Sequence, residues 1–278
     1  MSLLVKANPH GRQIVKVTPQ SAGWTRVGFE ALRLDAGESI EIELPCDREG
    51  CLVVLTGRVE IDVDAQHFGP LGGRTSVFAE CSPDAVYAPP GSRYAIRALD
   101  AVELALASAP AQGQHPTRLI AGASMQRSVR GQDTNTRYIC DILPQTEAAE
   151  SLLVVEVVTP AAHSSSYPPH KHDTDDLPLE SSLEETYYHR IDPPQGFAFQ
   201  RVYTDARDLD ESMAVSDHDV VMVPRGYHPV VMPHGYRGYY LNVMAGSRRE
   251  WHFRNDPAHE WLLTSPAGGR GRRAKRAG

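Results

Sequence analysis

The chain is short of cysteine, of long apolar runs and of positive charge, and each shortage excludes something. Its four cysteines, Cys46, Cys51, Cys81 and Cys140, form no Cys-x-x-Cys pair and all lie in the first half. Thiols scattered in this way fit a reducing compartment and free, packed side chains rather than a disulfide framework. No run of eighteen apolar residues occurs, so no membrane-spanning helix and no membrane partner are expected. The N-terminal stretch MSLLVKANPHGRQIVK lacks an apolar core after a basic start, so no secretory signal is read there. The protein is therefore expected in the cytoplasm. A net charge of -7 argues against a nucleic-acid partner. The exception is the tail over 264–278, where Arg270, Arg272, Arg273, Lys275 and Arg276 sit among glycines. Its composition predicts a disordered basic extension, not a binding site.

Helical periodicity is scarce as well. What replaces it is a succession of extended patterns: CLVVLTGRVEIDV (51–63), LLVVEVVTP (152–160), FAFQRVYT (197–204), DVVMVP (219–224) and YYLNVMAG (239–246). These are rich in β-branched and aromatic residues, and Gly, Pro or Asp clusters bound them. With 21 prolines and 22 glycines to make turns, the pattern predicts an all-β protein of sandwich or barrel type. One short helix is predicted, over DARDLDESM (205–213). A pseudo-repeat is present too. SPDAVYAPPGSRYAIRA (82–98) and DHDVVMVPRGYHPVVMP (217–233) each read as strand, Pro-x-Gly turn, strand. The polar segment 111–150 separates the halves, and RGQDTNTRYICDIL (130–143) reads as linker plus the first strand of the second unit.

Nine of the twelve histidines fall between His163 and His259. His170 and His172 are two apart, so on a strand both imidazoles point to one face. A carboxylate from Glu184–Glu185 and a histidine from the hairpin VPRGYHPV (223–230) can complete a shell of three imidazoles and one carboxylate. Such a set suits one divalent ion of Zn, Mn, Fe, Co or Ni and leaves positions open for substrate. In order and spacing these are the two cupin motifs, with departures. The gap between His172 and Glu185 is long and acidic, Gly196 comes eleven residues after Glu185, and His218 stands at the leading glycine of the second motif. His228 also arrives one residue early, which makes His234 a competitor for the fourth ligand. The assignment adopted is His170, His172, Glu185 and His228. Glu185 is preferred to Glu184 because the resemblance to cupin motifs implies a ligand directly before an apolar-x-aromatic strand, as at the head of ETYYHR (185–190), and the same parity turns Tyr187 and His189 inward. In the first half Tyr94 occupies the position of a metal histidine, so that unit is expected to be structural and free of metal.

Longer blocks are more specific. SSSYPPHKHD (164–173), LEETYYHR (183–190), QGFAFQRVYTD (195–205), VPRGYHPV, PHGYRGYYLNVMAG (233–246), NDPAHEWL (255–262) and LGGRTSVF (71–78) resemble the 5-deoxy-glucuronate isomerase family of myo-inositol catabolism. The likeness runs from about residue 3 to 262; Ser164 departs from it, standing where the family commonly has Trp. It implies a bicupin: two tandem jelly-roll β-barrels, a degenerate one over 1–115, a linker and first strand over 116–150, and a metal-binding one over 151–263. It also implies aldose–ketose isomerisation of 5-deoxy-D-glucuronate, a small-molecule uronate, to 2-deoxy-5-keto-D-gluconate, and leaves homo-oligomerisation open. For that reaction His234, His189 and Glu184 are the candidate bases. Tyr187 is a candidate substrate contact, and Arg201, Arg225 and Tyr227 are candidate partners of the substrate carboxylate. The alternatives are a 4-deoxy-5-keto-uronate isomerase of pectin breakdown, a cupin Fe(II) dioxygenase, and a sugar-acid binding protein without catalysis.

Overall fold

A computed structural model describes residues 2–8 and 10–264. Strands form where the extended patterns stand: Arg48–Thr56 and Arg58–Val63, Leu153–Thr159, Phe197–Tyr203, Val220–Val223 and Arg237–Gly246. Gly57, at a φ of 77°, breaks the first pattern into two strands. The protein is all-β in its architecture. The basic tail lies beyond the described residues from 265 onward.

The predicted helix over 205–213 does not form. Residues 205–209 make a turn in which the Thr204 hydroxyl donates to Asp208 at 2.5 Å, and Asp210–Ser216 is a strand paired with Phe197–Tyr203. The side chains of 210–216 alternate between exposed and covered, the period of a strand. Local charge pattern yields here to cross-strand pairing.

Four larger sheets are arranged two and two. In the first half a six-stranded sheet, with Arg48–Thr56 and Val102–Pro110 at its centre, faces a four-stranded one containing Arg58–Val63 and Arg93–Ala98. Leu52, Val54, Ile61, Tyr94, Ile96 and Leu104 fill the space between them. In the second half an eight-stranded sheet, with Glu180–Asp192 paired to Arg237–Gly246, faces a four-stranded one built on Phe197–Tyr203. Val155, Val157, Tyr187, Val202, Val215 and Tyr240 belong to that core.

The two large sheets pack against each other through their other faces. Val53, Leu55, Tyr87, Ile142, Val154, Tyr188 and Leu241 meet there. Each fully buried side chain of this size contributes roughly 1.5–3 kcal/mol, and buried polar ties add direction. Arg74 makes a two-pronged ion pair with Glu156, at 3.0 and 2.8 Å, and Glu49 accepts the backbone N–H groups of Glu150, Ser151 and Leu152.

Chain order and spatial order part company at the ends. Leu4–Val5, placed by sequence in the unit 1–115, pairs with Val221 and Val220 of the second half. Arg118–Ile120, placed beyond that boundary, closes the edge of the first half's six-stranded sheet. The terminal segment is apolar enough to cover an open strand edge, and that edge lies in the other half.

Candidate metal centre

The strand Glu180–Asp192 presents Glu185, Tyr187 and His189 on one face and Glu184, Tyr188 and Arg190 on the other, because neighbours alternate. The inward face extends sideways through strict cross-strand register. Glu185 lies opposite Met244, Tyr187 opposite Asn242, and His189 opposite Tyr240.

His170 comes to this face from the short strand His170–Lys171, paired with Arg254–Asn255, and His172 from the residue just past it. Between them Lys171 turns away and donates to Asp173 at 2.7 Å and to buried Glu180 at 3.3 Å. The long acidic gap before Glu185 is a hairpin, with Asp173 opposite Ser182 and Asp176 opposite Glu180. Its extra length folds back on itself, so His172 and Glu185 remain neighbours.

The Pro224–Arg225–Gly226 turn delivers His228. Gly226 has a φ of +91°, and a Cβ there would meet the Tyr203 carbonyl at 2.5 Å, so both conformation and space call for glycine. Its N–H donates to Asp173 at 2.8 Å, and its carbonyl accepts from His228 Nδ1 at 2.8 Å.

The ligand atoms of His170, His172 and His228 all lie within 4.8 Å of one another. Glu185 reaches the same point, its Oε2 standing 3.0 Å from His172 Nε2 and 3.4 Å from His228 Nε2. Each imidazole turns its second nitrogen to a backbone carbonyl: His172 to Leu183, His228 to Gly226, and His170 to Pro168. Backbone partners of this kind fix tautomer and ring angle in metal-ligating histidines. Burial pushes both His170 and His228 down to about 3, so both stay neutral; the charges of His172 and Arg137 add to the effect at His170, and at His228 burial, joined by the charges of His170 and His172, outdoes the opposing pull of Glu185. His172 behaves oppositely: burial disfavours its charge, but the hydrogen bond and charge of Glu185 outweigh that and raise it.

The donor set fits a divalent ion by its own chemistry. His228 Nε2 is buried with no hydrogen-bond partner, an arrangement costly in itself. Three neutral-capable imidazoles and a carboxylate aimed at one point satisfy that atom when a cation sits among them. A cavity of about 330 Å³ opens on His170 and Glu185, its wall formed in part by Tyr187, Tyr240 and Asn242. Its size falls within the range of small-molecule sites, about 300–1,000 Å³.

Of the other residues singled out from sequence, Tyr187 lies at this cavity and shares a 3.0 Å hydrogen bond with Ser166. His189 stacks behind Tyr187 with ring centres 6.0 Å apart, is held by Gln200 at 2.9 Å, and burial pulls it down to about 4. The rest stand elsewhere. Glu184 points to the opposite face, where its carboxylate accepts the N–H groups of Thr25, Arg26 and Val27. His234 is exposed in the turn before Arg237–Gly246, outside the histidine cluster. Arg201 pairs with Asp210 and Arg225 with Asp208 on the exterior, and Tyr227 donates to Asp205 at 2.9 Å. Sequence reasoning passed over Asn242 and the arginines Arg130 and Arg137 at the cavity. One polar side chain inside the apolar strand YYLNVMAG was a readable signal for Asn242.

The chain matches the KduI/IolB family over residues 3–262. It belongs to that family. A relative from Geobacillus thermodenitrificans, named 5-deoxy-glucuronate isomerase, is 51% identical over 91% of this chain and 92% of its own length. A protein of the same name from Bacillus subtilis is 49% identical over 89% and 92% respectively. Among solved structures, an IolB-like protein of Salmonella typhimurium superimposes with a TM-score of 0.92 at 46% identity, covering 95% of this chain and all of that one. An oxalate decarboxylase from Lactobacillus farciminis superimposes with a TM-score of 0.64 at 13% identity, covering 96% and 91%, a likeness of fold alone.

Proposed function

We propose that this member of the KduI/IolB family is a metal-dependent aldose–ketose isomerase. It converts 5-deoxy-D-glucuronate to 2-deoxy-5-keto-D-gluconate in myo-inositol catabolism, in the cytoplasm. In the same reading the two sheet pairs are tandem jelly-roll barrels of cupin type, and the second holds one divalent ion. The observation that carries the proposal is the convergence of His170, His172, His228 and Glu185 on one point beside the cavity that His170 and Glu185 line. Relatives about half identical over nine-tenths of the chain bear the isomerase name, which supplies the substrate.

His170, His172, His228 and Glu185 would hold the ion. Bound there, it would supply Lewis acidity to the substrate carbonyl. The chain's own residues do the rest. Tyr187 keeps its proton, because burial and the Glu185 charge raise its phenol well above 10. It is thus a hydrogen-bond donor to a substrate oxygen, held in place by Ser166. The apolar wall of Ile139, Val155 and Val157 excludes water from the reacting carbons. Isomerisation moves one hydrogen between neighbouring carbons and needs no external oxidant. Glu184 and His234 stand away from the cavity, and Tyr240 at its wall is a further phenol donor beside Tyr187.

The test is turnover of 5-deoxy-D-glucuronate in D₂O, with and without oxygen, followed by NMR. The expected result is the keto product at equal rate under both atmospheres. Deuterium at the carbon that was the aldehyde indicates proton transfer; its absence indicates a direct hydrogen shift. Strict dependence on oxygen, or no turnover at full metal occupancy, refutes the isomerase reading.

A further inference from the structure

Two arginines at the cavity are left without a role by the reaction as described. Arg130 ends the strand Gln126–Arg130, Arg137 begins Arg137–Leu143, and the two are direct cross-strand partners. Directly opposed residues share a face of the sheet. That face is the cavity side, since Ile139, two residues from Arg137, lines the cavity with both.

Like charges placed directly opposite each other destabilise a sheet. Asp141 feels the Arg130 charge, which works against the effect of its own burial, but it forms no ion pair with either arginine. Among the described residues no carboxylate stands within ion-pair distance of Arg130 or Arg137. The hydrogen bond seen for half-buried Arg137 goes to the neutral carbonyl of Asn135 at 3.1 Å, and Arg130 rests over the Trp251 ring at 5.6 Å. Arginines at the interface between the halves are treated differently: buried Arg74 carries Glu156, and half-buried Arg190 carries Glu103 and Asp217. Burial pulls the Arg137 guanidinium below its ordinary range, and the Arg130 charge adds to the effect. A half-buried cation beside an exposed one, neither in an ion pair and both facing a cavity, is arranged to receive an anion from outside the chain.

We propose that Arg130 and Arg137 form the subsite for the substrate carboxylate. They set the open-chain sugar acid lengthwise in the cavity, with its aldehyde end toward His170 and Glu185. This role passes to them from Arg201 and Arg225, whose guanidinia are engaged by Asp210 and Asp208 outside the cavity. The proposal rests on the isomerase reading for the identity of the substrate, but the anion site can be tested without turnover.

The experiment uses the metal-loaded full chain and the variants Arg137→Gln, Arg137→Lys and Arg130→Gln. Substrates are 5-deoxy-D-glucuronate and 5-deoxy-D-glucose, which carries a neutral hydroxymethyl group in place of the carboxylate. Arg137→Gln should raise KM for the uronate about 10- to 100-fold, the size of a lost charge-assisted hydrogen bond. Any turnover of the neutral sugar should fall by a much smaller factor, and the metal content should stay at the wild-type level. Arg137→Lys should fall between, keeping charge but losing the fork. Arg130→Gln, at an exposed position, should raise KM by a smaller factor and serves as the variant if Arg137→Gln does not fold. Binding of D-glucuronate by calorimetry, weakened in the same order, gives the reading independent of catalysis. If wild type binds D-glucuronate through these arginines but turns over no uronate, the isomerase reading fails and the carboxylate subsite stands. Equal losses for the charged and neutral sugars, or unchanged glucuronate binding in Arg130→Gln and whichever Arg137 variant folds, overturn the subsite.

Discussion

Replacing Arg74 by Met should loosen the seam between the two halves without touching the metal centre. The Arg74 side chain is 2% exposed and its ion-pair partner Glu156 is 8% exposed. Arg74 donates to both Glu156 oxygens and, through Nε, to the Leu55 carbonyl at 2.6 Å. Without it, Glu156 keeps the hydroxyl of Tyr239, at 3.0 Å, and otherwise becomes a buried charge without a counterion. Breaking a buried pair from one side costs about 3–5 kcal/mol. For a chain of this size that corresponds to a fall in melting temperature of roughly 6–20 °C. The double variant Arg74→Met, Glu156→Leu removes the orphaned charge as well and should recover most of the loss. Metal content at room temperature should match wild type in both, because Val155 and Val157 face the cavity while Glu156 faces the seam. Thermal unfolding followed by circular dichroism, with elemental analysis of the same samples, measures all of this. A wild-type melting temperature for Arg74→Met, or a double variant no more stable than the single, would falsify the reasoning.

The remaining predictions concern the site itself. His228→Ala should abolish metal retention and turnover, whereas His234→Ala, at an exposed turn, should keep both; the reverse pattern in metal analysis would move the ligand to His234. Metal affinity should decline as pH falls through the folded-state value of His172, which lies above 6.5, since the ion must displace that proton. His170 and His228, held near about 3, add nothing to this step, so calorimetric titration should show close to one proton released per ion bound; release of three would refute the assignment of protonation states. Glu184→Ala should cost about 1–3 kcal/mol in urea unfolding, by freeing the N–H groups of Thr25, Arg26 and Val27, and leave kcat within a factor of about two. A loss of ~100-fold or more in kcat would instead mark Glu184 as a base.

Several of these distinctions were legible in residue spacing. The two-residue step from His170 to His172 and the step Glu185, Tyr187, His189 along one strand are local, and strand geometry alone puts each set on one face. The Pro-x-Gly turn before His228 is equally local, and the structure brings that histidine, rather than His234, to within reach of the others. The place of Glu184 was only half legible. Its parity already sent it outward, but the acceptor role depends on a loop more than 150 residues away.

Sequence alone determined the all-β character, the histidine-rich half and the face on which Glu185 stands, because alternation of side chains along a strand is a property of neighbouring residues. Tertiary structure alone decided which distant groups meet. It withdrew Arg201 and Arg225 to exterior carboxylates, replaced the helix predicted over 205–213 with a turn and the start of a strand, and set Leu4–Val5 at the edge of the second half's sheet. It also set Arg130 against Arg137 at the mouth of the cavity. Each of these outcomes depends on strand register and on how the sheets face one another. Those are set by the summed burial of many apolar side chains across long separations, and no short run of residues carries that sum.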